Sequence, residues 1–405
     1  MSAVRLIAVG TGGGADATTP AHAALVAAGI PVAGRVLVEE DEAALEHALA
    51  GDTGLAVVVA GPGGSAGDVV RRVIARLTGT RLVLQERMLG ALQDAYQRRD
   101  RPLPRRAERL ALLPQGAIVW AADDGEPAWL LETGRAAFAV LPPGMLAAAI
   151  ARPLVEFARA LAGGRGVATR ILKTAGASLD DIEDRLADWL GHGDGDVSVT
   201  TVPADGEVWV RLRARGASAE DAQTALERME PRIAAALGDD CYGRDADTLE
   251  QVVGRLLSAR HMTLSVAESC TGGLLGHRLT NVAGSSAYFE RGVIVYSNRA
   301  KQELLGVSEE ILKTHGAVSG PCAEAMARGI CARSGSACGL AVTGIAGPDG
   351  GTPQKPVGTV FFGVAVAGSV TSRRFRFAGD RVAVKWQSAL TALDLLRRSL
   401  GGVRL

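Results

Sequence analysis

Short apolar runs bounded by glycine and proline recur along the first 160 or so residues. Residues 4–9 (VRLIAV), 35–38 (RVLV), 55–60 (LAVVVA) and 117–120 (AIVW) are rich in β-branched and aliphatic residues and too short for helices, so each predicts a strand. Ala/Leu-rich stretches at helical spacing, such as 20–29 and 66–78, lie between them. Strands alternating with helices predict a parallel sheet covered on both faces. The segment LPPGMLAAAIARPLVEFARALAGG has a Pro-Pro-Gly entry, a long amphipathic run and a glycine stop, which closes a first domain near Gly163.

From Val167 to Leu237 the order changes to TRILKTAG, the helical LDDIEDRLADWL, the strands VSVTTV and EVWVRLRA, and the helix AEDAQTALERMEPRIAAAL, a small α+β module of β-α-β-β-α type. DADTLEQVVGRLLSARHM opens with Asp at a helix N-cap position and leads into the last domain. That domain reads as strand TLSVAES, a glycine-opened helix, strand GVIVYS, a helix to about Leu305, a helix around PCAEAMARGICARS, strand CGLAVTG, a Gly/Pro loop, strands GTVFFGVAVAG and SRRFRFAG, and a terminal helix. The fold class is therefore α/β, ending in an α/β sandwich, with domains at 1–163, 164–245 and 246–405.

A chain of 405 residues that is 47% hydrophobic can bury more than one core, in keeping with that division. Lys+Arg 44 balances Asp+Glu 44, so the electrostatic footprint of a nucleic-acid or anionic-lipid binder is missing and a small-molecule partner is expected. The five cysteines, Cys241, Cys270, Cys322, Cys331 and Cys338, are odd in number and form no C-x-x-C pair. This disfavours a disulfide framework and a zinc site and fits a reducing cytoplasm. The N-terminal apolar run is too short to span a bilayer and leads into a glycine turn, so neither export nor a membrane partner is expected.

The strongest chemical signal is AESCTGG, Ala267 to Gly273, where an apolar strand ends and a helix begins. Ser269 would stand at a positive helix N-terminus, Gly272 and Gly273 would let backbone approach a ligand, and free N–H groups would face the same point. Such a turn suits a nucleophile with its oxyanion, or a phosphate, and Thr271, Gly272 and Gly273 become candidate ligand contacts. The plain alternative is a capped helix in which Ser269 or Thr271 satisfies N–H groups.

A serine nucleophile needs a base. His261, His277 and His315 are scattered, so a Ser-Lys arrangement is the natural substitute, since a desolvated lysine can lose its proton near neutral pH. YSNRAK supplies it: Tyr296 ends an apolar strand, Asn298 is suited to cap the next helix, and Lys301 sits on its first turn, where lysines are more often solvated. Residues 341–358, AVTGIAGPDGGTPQKPVG, leave another buried strand, with Thr343 and Gly344 placed like a ligand-contacting turn and the rest either a flap or a surface loop. Ligands of open α/β sheets collect at the carboxyl ends of strands, where both motifs would lie. Arg381, in AGDRVAVKWQSAL, could take a substrate phosphate or simply be exposed.

AESCTGG, VAGSSAYFERGVIVYSNRAK, LGV, HGAVSG, AVTGIAGPDGGTPQKPVG and AGDR, in that order and spacing, resemble the CinA C-terminal domain over nearly all of residues 262–395. The resemblance implies a nicotinamide mononucleotide amidohydrolase that releases ammonia and nicotinate mononucleotide without metal or other cofactor, in pyridine nucleotide recycling, and a homodimer. It matches Ser269 to the nucleophile, Lys301 and Tyr296 to the lysine and tyrosine beside it, and Thr343 and Arg381 to further pocket residues. The implied mechanism has Lys301, helped by Tyr296, deprotonating Ser269, with N–H groups of the 269–273 turn holding the oxyanion. Arg381, Ser285 and Ser286 would hold the ribose phosphate, and Asn298 and Gly344 complete the expected substrate contacts.

Residues 1–163 resemble the family's N-terminal part, a molybdopterin-binding-like fold that in some members hydrolyses ADP-ribose with a divalent metal. The match is eroded: Gly12 stands where the family carries an acid, Gly67 replaces the first of two aspartates while Asp68 is kept, and Ala147 stands where a glutamate belongs. Loss of three carboxylates removes ligands a hard cation needs, so no metal site and no pyrophosphatase activity are expected. The middle module resembles the family's KH-like insertion but lacks a G-x-x-G loop between two helices, so a structural or dimer-forming role is expected rather than nucleic-acid binding. Two other readings stand beside the amidase: a metal-dependent ADP-ribose pyrophosphatase in residues 1–160, and a non-catalytic interaction protein associated with competence or DNA damage.

Overall fold

A computed structural model describes residues 3–10, 17–50, 54–60, 64–120, 126–134, 136–144, 146–161, 166–191, 195–204 and 206–402. The chain divides into two compact units, one of Met1–Thr169 with Gly195–Val197 and Arg213–Arg228, the other of Arg170–Asp194 with Ser198–Leu212 and Met229–Leu405.

In the first unit β1 (Ala3–Val9), β2 (Val32–Val38), β3 (Gly54–Val59), β4 (Leu82–Leu84), β5 (Leu112–Pro114), β6 (Ile118–Trp120), β7 (Ala128–Glu132) and β8 (Ala137–Leu141) are joined by α1 (Thr19–Ala27), α2 (Glu42–Leu49), α3 (Gly64–Thr78), α4 (Glu86–Gln97) and α5 (Ala148–Leu161). Six strands form a sheet in the order β2-β1-β3-β8-β7-β6. Alternation along its strands buries both faces: Ile7, Val9 and Val58 join a core with Leu45, Val70 and Met88, while Leu6, Leu55 and Val57 join another with Leu25 and Leu154. The expected parallel pairing holds for β2-β1-β3-β8 and fails beyond it, where β7 runs antiparallel to β8 and β6. The cause is the turn after β7, where the Thr133 N–H and hydroxyl both donate to Ala136 O, at 2.9 and 2.8 Å; so short a link allows only a hairpin.

Asp68 lies on α3, and its carboxylate accepts from Arg71 and stands 3.5 Å from Arg109 Nη1. Ala147 immediately precedes α5. Gly12 and Gly163 lie outside the described residues.

Residues 166–244 form β9 (Gly166–Thr174), α6 (Leu179–Arg185), β10 (Val197–Ala204), β11 (Glu207–Gly216), α7 (Ala219–Leu237) and β12 (Cys241–Arg244), with sheet order β10-β11-β9-β12. β12 is an addition to the predicted pattern. Four residues with a glycine carry little strand signal, and β12 exists through its antiparallel pairing with β9.

Within the second unit α8 (Leu249–Ala259) leads to β13 (Leu264–Glu268), α9 (Leu274–Thr280), β14 (Phe289–Ile294), α10 (Asn298–Leu305), α11 (Glu309–Thr314), α12 (Gly320–Ser334), β15 (Cys338–Gly344), β16 (Thr359–Val366), β17 (Ser369–Arg376) and α13 (Arg381–Gly401). The N-cap of α8 is Thr248, in a capping box with Gln251, rather than an aspartate; Asp247 instead accepts from the Arg244 N–H at 3.0 Å and from Arg255 at 2.9 Å. The sheet order is β14-β13-β15-β16-β17, with β13 parallel to both neighbours and β16 and β17 antiparallel. Val266, Leu340 and Phe362 share a core with Val253 and Leu257 of α8, Leu275 of α9 and Leu393 of α13, while Ala267, Ala341 and Ala365 on the other face meet Leu305 of α10 and Met326 of α12.

α11 escaped the sequence pattern because its six residues, EEILKT, offer less than two turns of periodicity. The five cysteines are free, and among the described residues no helix is long and apolar enough to cross a membrane.

Candidate active site

The parallel register of β13 sets the site. Glu268 pairs with Ile294 on one side and Val342 on the other, so the next residues of all three strands emerge at one edge of the sheet. There Ser269 N–H donates to Val342 O at 3.0 Å and Val295 N–H to Glu268 O at 2.8 Å. Ser269, the Val295–Tyr296 pair and the Thr343–Gly344 pair are thereby neighbours, at the carboxyl ends where α/β sheets bind ligands.

α10 returns from that edge with Lys301 in its first turn. Ser297 caps the helix by accepting from Ala300 N–H at 3.1 Å, a role the sequence pattern offered to Asn298, which is instead exposed at the first helical position. Lys301 is 1% exposed. Its Nζ lies 3.1 Å from Ser269 Oγ, 2.8 Å from Val295 O and 3.5 Å from Tyr296 O. Among the described residues no carboxylate pairs with it. Burial pushes the Lys301 pKa down, and the neighbouring Cys322 and Cys270 thiols oppose this less strongly. A neutral amine here would give its two hydrogens to the carbonyls and its lone pair to the serine hydroxyl, the arrangement a general base requires.

The turn after Ser269 is less open than its glycines suggest. Glu268, 2% exposed, swings its carboxylate under the start of α9 and accepts from the N–H groups of Gly273, Leu275 and Gly276 at 2.9, 3.1 and 2.8 Å. Gly272 N–H donates to Ser269 O at 3.2 Å. The helix end expected to face a ligand is therefore filled from within, with Gly272 and Gly273 at φ 60° and 95° making the tight turn that allows it. Thr271 is wholly buried and its hydroxyl has no partner among the described residues, so it presents no surface to a substrate. The Cys270 N–H turns toward its own thiol and donates to no carbonyl or carboxylate among the described residues. Burial first, and the charge of Glu268 among lesser effects, hold the Cys270 thiol at a pKa of about 12, so Cys270 offers no thiolate to compete with Ser269.

Tyr296 is 63% exposed, and its phenol oxygen accepts from Arg381 Nη2 at 2.9 Å; only its main-chain carbonyl reaches Lys301. Arg381 Nη1 also donates to Gly347 O at 2.7 Å, tying α13 to the Gly/Pro loop. That loop is pinned again where Lys355 Nζ donates to His315 O at 2.9 Å and Arg374 to Gln354 O at 3.0 Å, so it is a built wall rather than a free flap. Thr343 is buried with its hydroxyl donating to Ala317 O at 2.8 Å, and a Cβ on Gly344 would come within 2.9 Å of Thr359 O, which explains the glycine by strand packing. Ser285 and Ser286 sit at the other end of the sheet: they precede Tyr288, whose carbonyl accepts from Leu264 N–H at 2.7 Å, at the start of β13. Four strand steps, roughly 13 Å, separate that level from Glu268, so within one chain the two serines do not join Ser269.

Two residues of the site were not singled out by the sequence pattern. Glu268 looks like the last residue of an apolar strand, and only the glycine pair downstream hints that its carboxylate can reach back to a helix end. Lys385 lies one turn after Arg381 on α13, with its Nζ 3.7 Å from where a Cβ on Gly272 would be.

Residues 246–400 match the CinA C-terminal domain family, and residues 169–243 match the damage-inducible protein CinA KH domain. A CinA-like protein of Geobacter sulfurreducens is 40% identical over 386 residues, covering 93% of each chain. A CinA-like protein of Dictyoglomus thermophilum is 33% identical over 378 residues, covering 92% of each. The crystal structure of competence damage-inducible protein A from Klebsiella pneumoniae is 39% identical, covering 38% of this chain and 97% of that one with a TM-score of 0.38. With identity of this extent along almost its whole length, the chain belongs to the CinA family.

Proposed function

We propose that residues 246–405 form a serine amidohydrolase domain that converts nicotinamide mononucleotide to nicotinate mononucleotide and ammonia, with residues 1–163 a degenerate scaffold and 164–245 a KH-like module. The observation that carries this reading is the buried Lys301 amine, 3.1 Å from Ser269 Oγ and without a carboxylate partner among the described residues. Lys301 takes the Ser269 proton as Oγ attacks the carboxamide carbon. The C–N bond then breaks as the Lys301 ammonium returns that proton to the leaving nitrogen, giving ammonia and an acyl-serine. Water, deprotonated by Lys301, then attacks the acyl carbon, the bond to Ser269 Oγ breaks, and the Lys301 ammonium returns the proton to Oγ as the carboxylate leaves. The N–H of the residue after a nucleophile is a common oxyanion donor, and Cys270 N–H fills that role here.

Arg381, held by Gly347 O and the Tyr296 phenol, binds the substrate phosphate with its remaining N–H groups. Tyr296 thus positions Arg381 rather than relaying a proton from Ser269. Ammonia release by the wild type, lost in Ser269→Ala with substrate binding intact, is the test; equal release by both would contradict the reading.

A further inference from the structure

We propose that Lys385 is a second phosphate-contacting residue, which together with Arg381 makes this site select a phosphorylated ribosyl amide over its unphosphorylated counterpart; the proposal rests on the amidase reading of the same site. Helix starts ordinarily receive phosphate, but the start of α9 is occupied by the Glu268 carboxylate with its three N–H bonds. An anion on the substrate is therefore directed elsewhere.

The first turn of α13 lies across the Ser269 turn. Arg381 and Lys385, four residues apart, share one face of that helix. The Lys385 ammonium stands over Gly272, three residues from the nucleophile, 3.7 Å from the point a Cβ would occupy, an ordinary van der Waals distance. Gly272 is exposed. Lys385 makes no hydrogen bond and no ion pair among the described residues. The nearest acid in sequence, Asp380, is engaged as N-cap by Ala383 N–H at 2.8 Å. Arg381 commits two N–H groups to Gly347 and Tyr296, and a guanidinium has five.

Two cations without acid partners among the described residues, at a helix start, run against the helix dipole. They are stabilised when a dianionic phosphate bridges them, the guanidinium by directional hydrogen bonds and the ammonium as a point charge.

The test compares wild type, Lys385→Met and Lys385→Arg on nicotinamide mononucleotide and nicotinamide riboside, alongside calorimetric binding of ribose 5-phosphate. Lys385→Met should lower the kcat/KM preference for the mononucleotide, and ribose 5-phosphate affinity, by about 10- to 100-fold, and Lys385→Arg should restore most of both. If preference and affinity match wild type in Lys385→Met, the proposal is overturned. If wild type turns over neither amide but binds ribose 5-phosphate in a Lys385-dependent way, the phosphate subsite stands and the amidase reading falls. Absence of ribose 5-phosphate binding to wild type overturns the subsite directly.

Discussion

A lysine with 1% of its surface exposed and no carboxylate partner among the described residues must be held by something other than an ion pair. Lys301 meets two carbonyls and a hydroxyl, and its pKa is lowered chiefly by burial. kcat/KM should therefore rise with pH along an ionisation below the ordinary lysine value of about 10.4, and Lys301→Ala should lose about 10²- to 10⁴-fold. A flat profile from pH 6 to 10 would contradict the base assignment. The same shift acts on stability. Between the lowered pKa and about 10.4 the unfolded chain holds the Lys301 proton and the folded one does not, so this group makes stability rise with pH across that window and be lower beneath it. Urea midpoints of wild type against Lys301→Met across that range measure the difference. Tyr296→Phe removes only the hydroxyl that accepts from Arg381, so KM should rise a few-fold with kcat nearly unchanged; a loss of kcat comparable to that of Lys301→Ala would restore Tyr296 to the proton path.

At the scale of elements, the strand ends and the helix starts decide the site. Glu268→Ala would leave the Gly273, Leu275 and Gly276 N–H groups without their acceptor. We expect a loss of at least about 2 kcal/mol in chemical denaturation, together with a lower kcat, because the same turn carries Ser269. An unaltered denaturation midpoint would show that water replaces the carboxylate at no cost. Most of this machinery could be read from the chain, since AESCTGG and YSNRAK each join an apolar strand to a helix start, and parallel strands bring such junctions to one edge. Other parts could not. Ser297 and Asn298 are adjacent and both competent to cap, so spacing alone does not choose between them. Thr271 is polar yet wholly buried, and within one chain Ser285 and Ser286 fall at the amino end of β13, facts set by three-dimensional register rather than local pattern. The β7–β8 hairpin reversed the expected strand direction for the same reason: a short turn at Thr133 and Ala136 outweighs the βαβ rhythm before it.

At the scale of the whole molecule, a neutral chain with 44 basic and 44 acidic residues carries Arg381 and Lys385 with no acid partner among the described residues, which supports the proposed small anionic substrate. The first unit keeps one of the carboxylates that a metal-dependent centre would use. Its retained Asp68 accepts from Arg71 and faces Arg109, so a cation would have to displace two guanidinium groups. ADP-ribose incubated with Mg²⁺, Mn²⁺ or Co²⁺ should therefore be recovered intact, and its hydrolysis at a rate that survives Ser269→Ala would return a pyrophosphatase to the first unit.

The most direct measurement is ammonia release from nicotinamide mononucleotide by wild type and by Ser269→Ala, each with and without a chelator. With Ser269 as nucleophile and Lys301 as base, wild type should turn over with the chelator present, and turnover should fall to background in the variant. Absence of turnover in wild type, or turnover that persists in Ser269→Ala, would contradict those roles.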